Sequence, residues 1–505
     1  MSNVVHLLPR EEPAGEPAPP PAAGVELLGE YEGSGFKQPP YLVRRADGQV
    51  LQLPRLLYLI AEEADGRRSY PEIAAAVGEQ VRRQLAPDDV RYLVDERLVP
   101  IGVLAAPDAQ PASLPKSDPL LALKWKTAVV PPAVVQSLAA LFSPFFFPPV
   151  VIAALAALVG LDVWLFAFHG VAQSVRSAFY DPGVLLLLLA LVALSAAFHE
   201  CGHAAATRYG GARPGAMGVG MYLAWPAFYT DITDAYRLNR AGRLRADLGG
   251  VYFNVLFILG TGAAYLATGF EPLLLLIPIQ HIEIIHQFLP FLRLDGYYII
   301  SDLTGVPDMF SRIKPTLRSL VPGSAPHPRV QELKVWARAV VTAYVLTLVP
   351  VLMVMLGLMA IAAPRVFATA GAAGIVQWQR VNAAVDMRQL LPAIASAVQL
   401  VVLALAPLGV AVTLWKASAR IAGGIWRATE ARPRARNVLV ATVTALVTGY
   451  VVNWWTSGVY RPIARAERGT AGGAFVNVGQ QLHMARKPRP RQPPTRKPQL
   501  MRGEP

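Results

Sequence analysis

Cysteine is almost missing from this 505-residue chain. Cys201 stands alone, so no intrachain disulfide can form and no metal site can draw on several thiolates. Charge is scarce too: 16% of residues are Asp, Glu, Lys or Arg against 53% hydrophobic, and the apolar residues gather into long charge-poor runs. That distribution excludes a string of soluble domains and describes a polytopic helical membrane protein, with the lipid bilayer as its solvent. Acidic residues are fewer than basic ones, 34 against 47, for a formal net charge of +13. The arginines mostly flank apolar spans or sit in the C-terminal tail, so membrane topology accounts for them and no nucleic-acid partner is expected. The first residues, MSNVVHLLPREEPAGEPAPPPAAG, lack a positive n-region followed by a sustained apolar core. No cleavable signal peptide is expected, and the amino-terminal part is expected to stay in the cytoplasm.

Residues 1–35, rich in Pro, Ala and Glu, read as a disordered leader. A small α+β domain is expected over 36–105. Tyr41–Arg44 and Val50–Leu53 flank Asp47-Gly48, a hairpin signature. Helical patterns follow over Pro54–Ala64, from Ser69 through Val77 with Ser69 as cap and Gly78 as stop, and over Pro87–Leu98. Val99–Leu104 is expected to close the sheet. This order is that of a winged-helix-like unit. Through Gln52-Leu53-Pro54, Ala64-Asp65-Gly66, Tyr70-Pro71-Glu72-Ile73-Ala74 and Leu98-Val99 it resembles the PqqD-like domains that recognise leader peptides in ribosomal peptide maturation. The resemblance implies a peptide docked on the sheet edge. A structural or DNA-binding winged helix is the plainer alternative, although Arg82 and Arg83 alone are too few for DNA.

Residues 106–130 read as a linker, 131–320 as a membrane core, 321–456 as additional transmembrane helices and 457–505 as a basic, Pro-rich disordered tail. Six or seven spans are expected: Pro144–Phe168, Val184–Thr207, Leu248–Thr268, Leu273–Leu289, Val340–Ala363, Ala397–Leu414 and Val438–Trp455. Arginines and lysines collect after the second span (Arg208 to Arg245), between the fourth and fifth (Arg312 to Arg338) and between the sixth and seventh (Lys416 to Arg436). The positive-inside rule makes those loops cytoplasmic. Seven spans would leave the tail outside despite its basic residues from Arg486 to Arg502. A long tail that ignores the rule and a miscounted span both account for this.

The second span, VLLLLLALVALSAAFHECGHAAAT, ends in ionisable residues that a bilayer penalises. His199-Glu200-Cys201-Gly202-His203 is the His-Glu-x-x-His zinc pattern. Its i,i+4 spacing sets both imidazoles on one helical face with Glu200 beside them. Catalytic zinc takes a third protein ligand. Asp295, in Leu294-Asp295-Gly296-Tyr297-Tyr298, is the candidate: an acid in an apolar run at the same expected depth as the His pair. His286 is the reserve. Cys201 falls on another side of the helix and reads as packing, and Gln280, Glu283 and Gln287 form a polar stripe on the fourth span. Ala216–Leu223 alternates like a strand and is expected to offer an unpaired edge that clamps substrate. A structural hairpin or interfacial loop anchored by Trp225 is the alternative.

This metal-ligand helix, followed at a distance by Leu-Asp-Gly, resembles the site-2 protease family of intramembrane zinc metallopeptidases. Gln287–Gly296 is similar to the family's downstream motif, with Gln287 where asparagine is usual. Gly250-Val251-Tyr252-Phe253-Asn254 is similar to Gly-Pro-x-x-Asn, with Val251 replacing proline. Phe228–Tyr236 and the double tyrosine after Asp295 are similar to a bacterial subgroup described as putative peptide zinc metalloproteases. The resemblance implies Zn2+ on His199, His203 and Asp295, Glu200 as general base, and Asn254 holding the substrate carbonyl. The implied substrate is a membrane-associated peptide or single-span protein cut near the cytoplasmic face of a bacterial-type membrane. The alternative is a non-catalytic zinc-binding factor for peptide export or immunity, acting with a peptide exporter. A secondary transporter would require internally repeated halves, which the sequence lacks.

Overall fold

The computed structural model describes residues 17–105, 123–171, 174, 181–222, 225–289, 293–429 and 433–456. Over these residues the fold is mainly helical with two small sheets. It divides into two compact units, Met1–Gly357 with Gln389–Ala395 and Leu358–Arg388 with Ser396–Pro505.

In the first unit, strands β1 (Glu26–Glu30), β2 (Tyr41–Arg44) and β3 (Val50–Leu53) form an antiparallel sheet in that order. Asp47-Gly48 turns β2 into β3, pairing Arg44 with Val50 and Tyr41 with Leu53. Three helices cover the sheet: α1 (Arg55–Glu63), α2 (Tyr70–Val81) and α3 (Pro87–Leu93). The backbone N–H of Ser69 donates to Glu72 Oε2 at 2.7 Å, half of a capping box that starts α2. That helix runs through Gly78 and stops where Arg82 enters the left-handed region at φ 54°. Val43, Ile60, Ile73, Val77, Val90, Val94 and Leu98 are fully buried in the core.

Two expectations change here. Order begins well before residue 36: Ala18 is buried in this core, and Glu26–Glu30 pairs with β2. The Pro-Ala-Glu composition of the leader concealed Val25 and Leu27, whose apolar side chains pack against the core. No strand closes the sheet over Val99–Leu104 either; that stretch turns and bridges only at Leu104, to Pro21.

Among the described residues, five helices are long and apolar enough to cross a membrane: Pro148–His169, Pro182–Tyr209, Arg240–Thr268, Val335–Asp386 and Leu390–Gly424. After a short helix α4 (Pro132–Phe142), α5 (Pro148–Val163) opens on two prolines, which sit where a first turn needs no N–H donors. They start this helix. Helix α6 (Pro182–Tyr209) is capped by Asp181, whose Oδ1 accepts from Gly183 N at 2.8 Å. Helix α7 (Arg240–Thr268) is capped likewise by Asn239.

The expected fourth span becomes a 3₁₀ turn, Glu271–Leu275, followed by the 12-residue α8 (Leu276–Gln287). At a rise of about 1.5 Å per residue α8 falls well short of a bilayer core. Gln280, His281, Glu283 and His286 interrupt its apolar run. Helix α9 (Asp295–Thr304) follows, then two short helices, α10 (Ile313–Ser319) and α11 (Pro328–Gln331). Helix α12 (Val335–Asp386) has 52 residues, far more than the fifth span expected over Val340–Ala363. In the second unit, Gln377 Nε2 donates to Gln399 Oε1 at 2.6 Å, between the later part of α12 and α13 (Leu390–Ala428). The last described helix is α14 (Pro433–Thr456). The expected C-terminal tail lies outside the described residues.

A second sheet lies in the first unit. The stretch expected to be linker supplies β4 (Lys124–Val130), which pairs with β5 (Met217–Tyr222), and β5 pairs in turn with β6 (Trp225–Thr230). The alternation over Ala216–Leu223 does mark a strand, but it is the central one, hydrogen-bonded on both sides. Among the described residues, the unpaired edges are those of β6 and β4 instead.

Helices α6 and α7 pack closely against each other in the first unit. Gly202 and Gly249 abut backbone to backbone: a Cβ on Gly249 would lie 2.5 Å from Gly202 O and 2.9 Å from the Cβ of Ala206. Ala204, Ala205 and Ala206 are fully buried. Small residues at this seam let two membrane helices pack on their backbones. Gly249→Val is expected to force them apart at a cost on the order of 1–3 kcal/mol, read as a lower unfolding temperature in detergent. Gly260→Ala, in open space on the same helix, serves as the tolerated control.

Candidate metal centre

Residues His199 and His203 are one turn apart on α6, and both are buried. Each ring is oriented by α7. His199 Nδ1 lies 3.1 Å from Asn254 Oδ1, and His203 Nδ1 lies 2.8 Å from the carbonyl oxygen of Ala246. Both partners are acceptors, so each neutral ring carries its proton on Nδ1 and turns an Nε2 lone pair inward. The two Nε2 atoms stand 3.1 Å apart. Asp295, the first residue of α9, adds its carboxylate, with Oδ2 at 3.2 Å from His199 Nε2 and Oδ1 at 3.5 Å from His203 Nε2. Asp295 Oδ2 is buried and has no hydrogen-bond partner among the described residues.

Two lone pairs and a carboxylate facing one point inside a protein repel one another unless a proton or a metal cation lies among them. Two imidazoles and one carboxylate, each imidazole held by an acceptor behind it, are a donor set that suits zinc, and Glu200 lies in the same cluster. The group fits. Gly250 keeps the point clear, since a Cβ there would run into the Nε2 atoms of both histidines.

Glu200 is half-buried, and its carboxylate lies with the two imidazoles in a cluster whose ligand atoms are within 4.8 Å of one another. Its Oε2 accepts from the hydroxyl of Thr230, the last residue of β6, at 2.8 Å. Asn254 is 1% exposed; its Oδ1 is engaged with His199, while its Nδ2 has no partner among the described residues. The reserve ligand does not join the cluster: the half-exposed His286 pairs with Glu283 at 4.0 Å. Along α8, Gln280 is buried and accepts from Ser195 at 2.7 Å, and Gln287 donates to Glu283 at 3.1 Å. Cys201 packs among apolar side chains.

A second polar group stands beside the centre. Arg243 on α7 is 1% exposed. Its Nε donates to Asp302 Oδ1 at 3.0 Å, its Nη1 to Leu238 O at 2.7 Å and its Nη2 to Glu32 O at 3.0 Å. The guanidinium also stacks 4.4 Å from the ring centroid of Tyr31. The Tyr31 hydroxyl donates to the same Asp302 oxygen at 2.9 Å. Burial, with the Asp302 charge beside it, pushes that hydroxyl far above its ordinary range, so it remains a donor.

The sequence pattern gives no role to Thr230 or to the Ala246 carbonyl, and marks Arg243 only as a topological charge. Thr230 lies inside the Phe228–Tyr236 stretch already singled out, so a hydroxyl there was a usable signal. A backbone carbonyl leaves none.

Comparison of the chain with protein-family models, with curated proteins and with solved structures finds no match. What the centre binds rests on its own geometry. The purified protein is expected to carry about one equivalent of zinc, measured by mass spectrometry of the metal, and His203→Ala and Asp295→Ala to carry almost none. Asn254→Ala, which removes the acceptor behind His199, is expected to weaken zinc affinity about 10- to 100-fold in chelator competition.

Proposed function

We propose that this protein is an integral-membrane zinc endopeptidase of the site-2 protease type, with an amino-terminal PqqD-like module that receives its peptide substrate. The observation that carries the reading is the convergence of His199 Nε2, His203 Nε2 and the Asp295 carboxylate, with Glu200 alongside. In this reading those three residues hold Zn2+. A zinc ion so held supplies Lewis acidity, lowering the pKa of water toward neutral and polarising a peptide carbonyl.

The chain supplies the rest. Glu200 accepts the proton of the attacking water on its carboxylate and delivers it to the departing amine, so one group serves as base and then as acid. Asn254 and Ala246 keep the imidazoles in the tautomer that presents Nε2. An extended peptide is taken along β6, which pairs only with β5 among the described residues and ends beside Glu200. Backbone pairing there orders the peptide bond before it reacts. The positive-inside pattern supports a cytoplasmic face for both the module and the centre, in a bacterial-type membrane. Its substrate would then be a peptide, or a single-span protein, with its cleavage site near that face.

Purified protein in detergent, incubated with fluorescein-labelled casein as an unselective extended substrate, tests the reading. Glu200→Gln is expected to retain zinc and lose cleavage by about 10²- to 10⁴-fold. Undiminished cleavage in that variant sinks the mechanism. A variant silent in function while His203→Ala is not favours a non-catalytic zinc-binding factor for peptide export or immunity.

A further inference from the structure

A general base within a turn of two metal ligands needs its carboxylate held at a fixed rotation, because Glu has free torsions that a helix does not restrict. The only hydrogen bond to the Glu200 side chain among the described residues comes from Thr230 Oγ1, at 2.8 Å from Oε2. The same hydroxyl lies 3.0 Å from the Glu200 carbonyl oxygen. A hydroxyl has one proton to give, and the shorter bond to the anionic carboxylate is the stronger use of it.

Thr230 is itself tightly placed. Its backbone pairs with Met217 on the central strand of the sheet. Directly after it, Asp231 N donates to Ala216 O at 2.9 Å, and Gly215 N donates to Asp231 O at 2.7 Å. Asp231 Oδ1 accepts from Thr233 N at 3.0 Å and from Thr233 Oγ1 at 2.6 Å. The buried Asp234 closes the turn, taking Arg213 N at 2.8 Å, Arg237 Nε at 2.7 Å and Arg44 Nη1 of the amino-terminal sheet at 2.9 Å. A β-branched side chain on so fixed a backbone has little torsional freedom of its own. The strand end thus delivers one hydroxyl to one carboxylate oxygen.

We propose that Thr230 is the positioning residue for Glu200: its hydroxyl fixes one carboxylate oxygen, which leaves the other directed at the proton it must take. The inference rests on Glu200 being the base. Its hydroxyl acts through Glu200, while any pairing of peptide along β6 uses the backbone, which the side-chain variants below keep, so loss of the hydroxyl is read in turnover.

The test compares Thr230→Val, Thr230→Ala and Thr230→Ser in the full-length, zinc-loaded protein with labelled casein. Valine keeps the shape of threonine without the hydroxyl; serine keeps the hydroxyl without the methyl. Thr230→Val and Thr230→Ala are expected to lower kcat about 10- to 100-fold, with KM and zinc content unchanged, and Thr230→Ser to recover most of the loss. Wild-type kcat in either hydroxyl-free variant overturns the proposal. So does a Thr230→Ser variant as impaired as Thr230→Val, because the methyl group would then be what matters. Glu200→Gln in the same assay separates the two levels. If it cleaves normally, the base assignment itself fails; if it is inactive while Thr230→Val is fully active, only the positioning role fails.

Discussion

Everything that converges near His199 depends on two helices meeting with no side chains between them. At the Gly202–Gly249 contact the backbones of α6 and α7 touch, and the consequences run in both directions along the seam. A few residues from Gly249 along α7, the Ala246 carbonyl comes within reach of His203 in one direction and the Asn254 carboxamide within reach of His199 in the other. Both distances would lengthen together if the helices parted by the width of one methyl group. The close approach thus does more than stabilise a membrane bundle: it chooses the tautomer of two imidazoles, and with it the direction of their lone pairs.

Legibility in the sequence follows the range of the interaction. The i,i+4 face of His199 and His203, the Asp47-Gly48 hairpin and the Ser69–Glu72 cap are local events, written within a few residues, and the structure has them where the pattern puts them. Asp295 was legible for a different reason. A lone carboxylate in an apolar run has to be compensated, and the cost of leaving it bare identifies it without knowledge of its partners. What stayed hidden is non-local. β4 lies in a stretch whose composition reads as linker, and only its pairing with β5 nearly a hundred residues later makes it a strand. The β1 strand lies in a Pro-rich leader for the same reason. The alternation of Met217–Tyr222 was visible, but whether a strand is central or at an edge depends on neighbours that period-2 patterning does not register. The short α8 shows the converse limit: its apolar residues suggest a span, while its Gln, His and Glu residues and its actual length do not.

Arg243 illustrates how a charge survives in a helix otherwise apolar enough to cross a membrane. A buried guanidinium is costly unless its donors are met, and here a carboxylate, two backbone carbonyls and an aromatic face meet them. Two of these partners, Tyr31 and the Glu32 carbonyl, come from the segment leading out of the amino-terminal sheet. The strap continues past them: Lys37 N donates to Glu332 O at 2.8 Å and Lys334 N donates to Gly35 O at 2.8 Å, so residues 31–37 are woven between α7, α9 and the start of α12.

A boundary drawn at residue 105, where composition changes, is therefore not where the molecule divides. The amino-terminal module reaches both walls of the centre by separate routes. Through Arg44 it holds Asp234, four residues from the threonine that meets Glu200. Through Tyr31 it holds Asp302, on the same short helix whose first residue is Asp295. Detaching the module would leave Arg243 without two of its partners and Asp234 without one of its cations, inside a site where unpaired polar groups are expensive. The physical unit is the module together with the helices that carry His199, His203 and Asp295. A ligand docked on a strand edge of the module would act on a body already joined, by hydrogen bonds and ion pairs, to the residues gathered around His199.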